Sequence, residues 1–178
     1  MSKKIEFNEK LVKLLKLGVF IVAFVPLIIF SDFISPFHFG KVIVFRSIIE
    51  LMIPLYIILV LRDRRYLPKL NLILISFLSF TGLFAVSSVL STNPYLSFWG
   101  SLERMGGFWT FLHYLFFYII LVSVLRKRED WILLLKMFVA VGVLSAFYGF
   151  GQKTDIKFFV GSGGRARIFG TIGNAALF

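Results

Sequence analysis

Apolar residues run along this chain in stretches of about twenty, each closed by a short polar or basic cluster. A helix rising 1.5 Å per residue needs about 20 apolar residues to cross roughly 30 Å of hydrocarbon. The pattern predicts five such helices, at residues 14–34, 42–61, 70–90, 107–125 and 131–150. A sixth apolar run covers 168–178 and, as a helix, would rise only about 16 Å. The fold class expected is all-α: a polytopic integral membrane bundle with five spans and the start of a sixth. Residues 1–178 then form one transmembrane domain of a truncated chain. The run at 14–34 reads as a retained span, because the Ser31 to Pro36 stretch after it has no small-x-small cleavage site.

Composition reinforces this picture. The chain is 58% hydrophobic and 16% charged, with mean hydropathy +0.89. That leaves too little polar surface to cover a water-soluble core. With no cysteine, disulfides and thiolate metal sites are excluded. A net charge of +11 in a soluble protein would point to nucleic acid. Here the basic residues sit between apolar runs, so they speak for topology instead, and no nucleic-acid partner is expected.

With a cytoplasmic N-terminus, 13 of the 20 basic residues fall inside, 6 fall outside, and Arg46 lies within a span. The inner set lies at the N-terminus (Lys3 to Lys16), between the second and third spans (Arg62 to Lys69), and around Arg126 to Lys136. The expected location is therefore the cytoplasmic membrane, with Asp63 and Glu129 inside and Asn93 and Ser162 outside. Trp99 and Trp109 then lie near the outer interface and Trp131 near the inner one, as in an aromatic belt.

Few residues carry obvious chemistry. Arg46 and Glu50, four apart, share one face of the second span. They read either as a self-neutralising pair or as the polar floor of an outward-facing cavity. In the outer loop 91–106, Tyr95, Phe98, Trp99 and Leu102 suit a short interfacial helix, with Glu103 and Arg104 at the mouth of the fourth span. Arg104 is either an interfacial anchor or an anion contact. His113 lies within the fourth span, where a lone histidine more often bonds a neighbouring helix than catalyses. His38 has no visible partner, no histidine pair has metal spacing, and no cofactor is expected. In the loop 151–167, glycines 161, 163 and 164 precede Arg165 and Arg167, which then lead into an apolar run. Two arginines there can grip a phosphate bidentately, unless they are merely solvated loop charges.

Several of these segments together resemble the O-antigen ligase/polymerase family of bacterial envelope enzymes. They are Glu103-Arg104-Met105-Gly106-Gly107, and Arg167-Ile-Phe-Gly-Thr-Ile-Gly-Asn174 before a span. The third is Phe45-Arg46 through Glu50, followed by Pro54-Leu-Tyr56. The likeness runs from about Lys41 to the end, to that family's amino-terminal half. Gly173-Asn174-Ala175 stands where the family has Gly-Asn-Pro.

The resemblance implies a membrane glycosyltransferase of lipopolysaccharide biosynthesis. It would transfer or polymerise glycan from an undecaprenyl-diphosphate-linked donor at the outer face. The histidine regarded as catalytic in the ligases lies in the family's second half, beyond residue 178, and His113 does not match it. Arg167, with Arg165 and Arg104, is then expected to bind the donor's diphosphate. Partners implied are the polyprenyl-linked glycan and the bilayer. The alternative is a non-enzymatic membrane protein, either a transporter fragment or a scaffold for envelope assembly.

Overall fold

The computed structural model describes residues 2–31, 33, 35–154, 156–159 and 168–173. Every regular element among them is helical. These are α1 (Ser2–Val22), α2 (Phe39–Arg62), α3 (Leu72–Val89), α4 (Pro94–Trp99), α5 (Phe108–Val124) and α6 (Arg128–Gly151), with 3-10 turns at Val25–Leu27 and Arg64–Tyr66. By length and composition, α2, α3 and α6 are long and apolar enough to cross a membrane, and α5 is a shorter apolar helix. The connections alternate between two ends. Among the described residues, the lower end carries the start of α1, 63–71 and 125–127; the upper end carries 23–31, 35–38, 90–107, 152–154, 156–159 and 168–173.

The core gathers where α1, α2 and α5 meet. Leu11, Leu15, Val19 and Val22 recur at helical spacing and form the buried stripe of α1. They pack on Phe45, Ile49, Met52 and Leu59 of α2, and on Ile120 and Val124 of α5. Close approach of α1 to α2 relies on Gly18, because a Cβ there would lie 2.6 Å from the Met52 sulfur. Polar ties fasten the lower end. Lys16 pairs with Asp130 at 2.5 Å, Arg62 Nε donates to Asn8 at 3.0 Å, and Trp131 Nε1 donates to the Leu125 carbonyl at 2.9 Å.

Two expectations about the spans need correction. The apolar run 14–34 is not one helix: α1 stops at Val22, and a 3-10 turn follows. Pro26 has no N–H to give the Val22 carbonyl, so the α ladder cannot continue. At Ile28 the backbone becomes extended, and Phe30 N–H donates to the Pro36 carbonyl at 3.1 Å, which brings Phe30 back beside the start of α2. The Phe30 ring fills the space that a side chain on Gly40 would need.

The sixth run is likewise no helix over its described part. Residues 170–173 form a turn, closed by Gly173 N–H donating to the Phe169 carbonyl at 2.9 Å. Gln152 Oε1 accepts the N–H groups of Phe169 (3.1 Å) and Gly170 (2.9 Å), so a side chain supplies what a helix would have supplied. Ser145 and Thr171 hydroxyls meet at 2.7 Å, and Lys41 Nζ donates to the Thr171 carbonyl. The turn is thereby clamped between α6 and α2. Residues 174–178 lie outside the described residues.

Candidate functional site

The upper half of the α2–α5 seam is polar. Arg46 is 7% exposed, and its Nε donates to Thr110 Oγ1 at 3.1 Å. Its Nη2 donates to the Met105 carbonyl at 3.0 Å and also reaches Thr110 Oγ1. The Thr110 hydroxyl donates in turn to that carbonyl. No direct hydrogen bond or ion pair joins Glu50 to Arg46. Glu50 Oε1 lies 3.2 Å from His113 Nε2, while His113 Nδ1 lies 2.7 Å from the Trp109 carbonyl. A carbonyl only accepts, so the Nδ1 contact has the ring nitrogen as donor.

Pro54 adds to the polarity of this region. It cannot donate to the carbonyl four residues back, which is that of Glu50, so one acceptor of α2 is released beside the carboxylate. The Glu50 side chain is 54% exposed, whereas His113 is buried.

The loop above this seam is tied to it. Asn93 Oδ1 caps α4 through the Leu96 N–H at 3.0 Å, with Pro94 in the first turn. Rings of Phe98 and Trp99 pack on Trp109, centroids 5.8 and 6.0 Å apart, and Trp109 packs edge-on to His113 at 4.9 Å. Met105 takes a left-handed φ of 49°, which aims its carbonyl at Arg46 and Thr110. The neighbouring Arg104 is exposed, with no hydrogen-bond partner for its guanidinium among the described residues.

Beside the seam opens an apolar cavity of about 390 Å³. Its walls include Val25, Pro26, Phe45, Tyr114 and Phe117, and His38 and Lys41 stand among the residues lining it. His38 is held below the usual histidine range by burial first, then by the positive charges of Lys41 and Arg104. It is therefore neutral near pH 7, and any anion that joins Lys41 and Arg104 favours its protonation. The arrangement offers hydrocarbon walls together with the Lys41 ammonium and the His38 ring, and among the described residues no cluster of three or more metal-ligating side chains accompanies it.

Comparison with known proteins returns no matching family model, no matching curated protein and no matching solved structure. Function must therefore be argued from the residues.

Of the side chains singled out from sequence, Arg104 stands at the upper mouth, and Arg46 and Glu50 line the seam beneath it. Arg165 and Arg167 lie outside the described residues. Sequence reasoning passed over Lys41 and gave His38 no partner. The available signal was position: His38 precedes α2 immediately and Lys41 lies in its first turn, at the same upper end as Arg104. Thr110 carried no signal, since only the folded seam shows what it binds.

Proposed function

We propose that this chain serves in glycan transfer from an undecaprenyl-diphosphate-linked donor, in the manner of the O-antigen ligase/polymerase family. It does so in the cytoplasmic membrane, with five crossings, a cytoplasmic N-terminus and the upper end facing outward. One observation carries the reading: Lys41 and His38 line an apolar cavity, and the charge of Arg104 acts on His38 from the loop above. A polyprenyl diphosphate has that same division, an anionic head on a hydrocarbon tail. When glycan leaves for its acceptor, negative charge develops on the diphosphate, and fixed cations aimed there stabilise the transition state. The motifs from Glu103 to Gly107 and from Arg167 to Asn174 support the same assignment. In it, Arg104, Arg165 and Arg167 hold the diphosphate, and the balance of 13 basic residues inside to 6 outside sets the orientation.

The test is a lipid-linked glycan transfer assay on the intact protein at limiting donor. Replacing Arg104 or Arg167 by Ala should lower activity by about tenfold or more, as expected for a lost charge-assisted hydrogen bond. Arg167→Lys keeps the charge without the planar fork, and should fall as well. Full transfer by Arg104→Ala and Arg167→Ala, at wild-type protein levels, would refute the assignment.

A further inference from the structure

The opposite end of the bundle holds a second charged cleft, unrelated to the reading above. It lies between the α2–α3 connection and the end of α5, with a volume of about 560 Å³, within the range of small-molecule sites. Arg65, Lys69 and Arg126 supply its charge, and Leu67, Val122 and Leu125 supply an apolar wall.

The three cations are not equivalent. Arg65 is engaged by Asp63 in a forked contact, Nε at 3.0 Å and Nη2 at 2.8 Å. That contact holds the Asp63 carboxyl below the usual range. Arg126 is fixed from three sides: Nε donates to the Ser123 carbonyl at 3.0 Å, Nη2 donates to the Arg65 carbonyl, and the guanidinium lies 4.3 Å over the Tyr66 ring. A guanidinium has five N–H donors, so a held Arg126 still has donors to give. Lys69 is exposed and has no side-chain partner among the described residues.

The net result is a site with one preorganised guanidinium, Arg126, and one free ammonium, Lys69. No carboxylate lines the cleft among the described residues, and Asp63 beside it is engaged by Arg65, so the site favours an anion over an ammonium or choline group. Just outside the cleft, Leu70, Leu72 and Ile73 are 75%, 80% and 65% exposed, an apolar strip continuous with the start of α3. A free phosphate would use the cations and leave the apolar wall and strip unused. A molecule with a phosphodiester head and acyl chains uses both, at the depth where basic pockets between helices bind lipid heads.

We propose that this cleft binds an anionic phospholipid, with Lys69 and Arg126 on the phosphodiester and the acyl chains along Leu72 and Ile73. The experiment titrates the intact protein, in dodecyl maltoside, with phosphatidylglycerol or phosphatidylcholine and counts bound lipid by native mass spectrometry. Inorganic phosphate is added in a parallel arm. Wild type should bind phosphatidylglycerol at least tenfold more tightly than phosphatidylcholine. Lys69→Glu should weaken phosphatidylglycerol by about tenfold or more, and Lys69→Arg should stay within about twofold. Lys13→Glu, a reversal at the same end but outside the cleft, should leave affinity unchanged. Three results would overturn the proposal. They are wild-type affinity in Lys69→Glu, an equal loss in Lys13→Glu, or displacement of the lipid by millimolar phosphate. The first two would point to a diffuse basic field, the third to a free-anion site.

Discussion

Towards its lower end α2 meets α1 and α5 mainly through Met52, Leu59, Ile120 and Val124, with Tyr56 Oη 3.0 Å from Ser123 Oγ and Arg62 bonded to Asn8 at the very end. Two to three turns higher the same α2 and α5 face each other through Arg46, Glu50, Thr110 and His113. Apolar packing has little power to tell a neighbouring helix from lipid, because both are hydrocarbon. Hydrogen bonds between named groups do discriminate, since each donor has one acceptor at one height. The lower half thus supplies close contact, and the upper half supplies register. The upper half also extends beyond the helices. Through Met105 it holds the loop that carries Arg104, so the position of the mouth depends on a bond made by Arg46.

This contrast can be broken from either side. Leu59 is fully buried, and Leu59→Ala should cost about 2–5 kcal/mol in unfolding experiments in detergent, whereas Leu59→Met should cost less than about 1.5 kcal/mol. Thr110→Val is nearly the same shape as threonine, yet it strips Arg46 Nε of its acceptor. The expected cost is about 1–3 kcal/mol, and Thr110→Ser should recover most of it. A neutral Thr110→Val would erase the distinction between the halves.

A smaller effect sharpens the contrast. In a double-mutant cycle, Glu50→Ala and His113→Ala should couple by roughly 0.6–1.7 kcal/mol, the range seen for hydrogen bonds between membrane helices. Glu50→Ala with Arg46→Ala should come closer to additivity, because those two bond to different partners on α5. Coupling confined to Glu50 and Arg46 would restore the pairing expected from their spacing.

The smallest expected effect is on pH dependence. His38 has its folded pKa below the ordinary value of 6.5, so the unfolded chain takes up a proton first as pH falls. Its contribution to stability is fully present above about pH 6.5 and is lost as pH falls through the lower folded value. His38→Gln should flatten the stability profile on that acid side. An anion at the mouth should oppose the loss by favouring the protonated ring.

Much of this could be read before any coordinates. Uniform hydrophobicity marks α3, α5 and α6, because a helix greasy on all faces needs only its length to be recognised. The break after Val22 was harder to see. Pro26 stands in plain view, but hydropathy averages over it, and a single missing N–H does not alter the average. The turn at 170–173 depends on Gln152, nearly twenty residues earlier, and no local pattern announces a side chain that substitutes for a helical ladder. At the site, the spacing of Arg46 and Glu50 gave their shared face correctly. It could not give their partners, since those belong to α5 and the loop above it. Lys41 and His38 acquire their setting only once the segment after Pro26 folds back.

The loop from Gly100 to Gly107 closes on itself by backbone against backbone. A Cβ on Gly100, already at a φ of 81°, would lie 2.5 Å from the nitrogens of Gly106 and Gly107, and one on Gly107 would strike the Gly100 nitrogen and the Phe98 carbonyl. Gly106, between them, faces open space. Main-chain atoms have no rotamer to retreat into, so a neighbouring substitution cannot make room. In a saturation library selected for function, positions 100 and 107 should therefore accept a single letter while 106 accepts many. The two silent columns, seven residues apart, would outline the fastening of the loop without any structure being consulted.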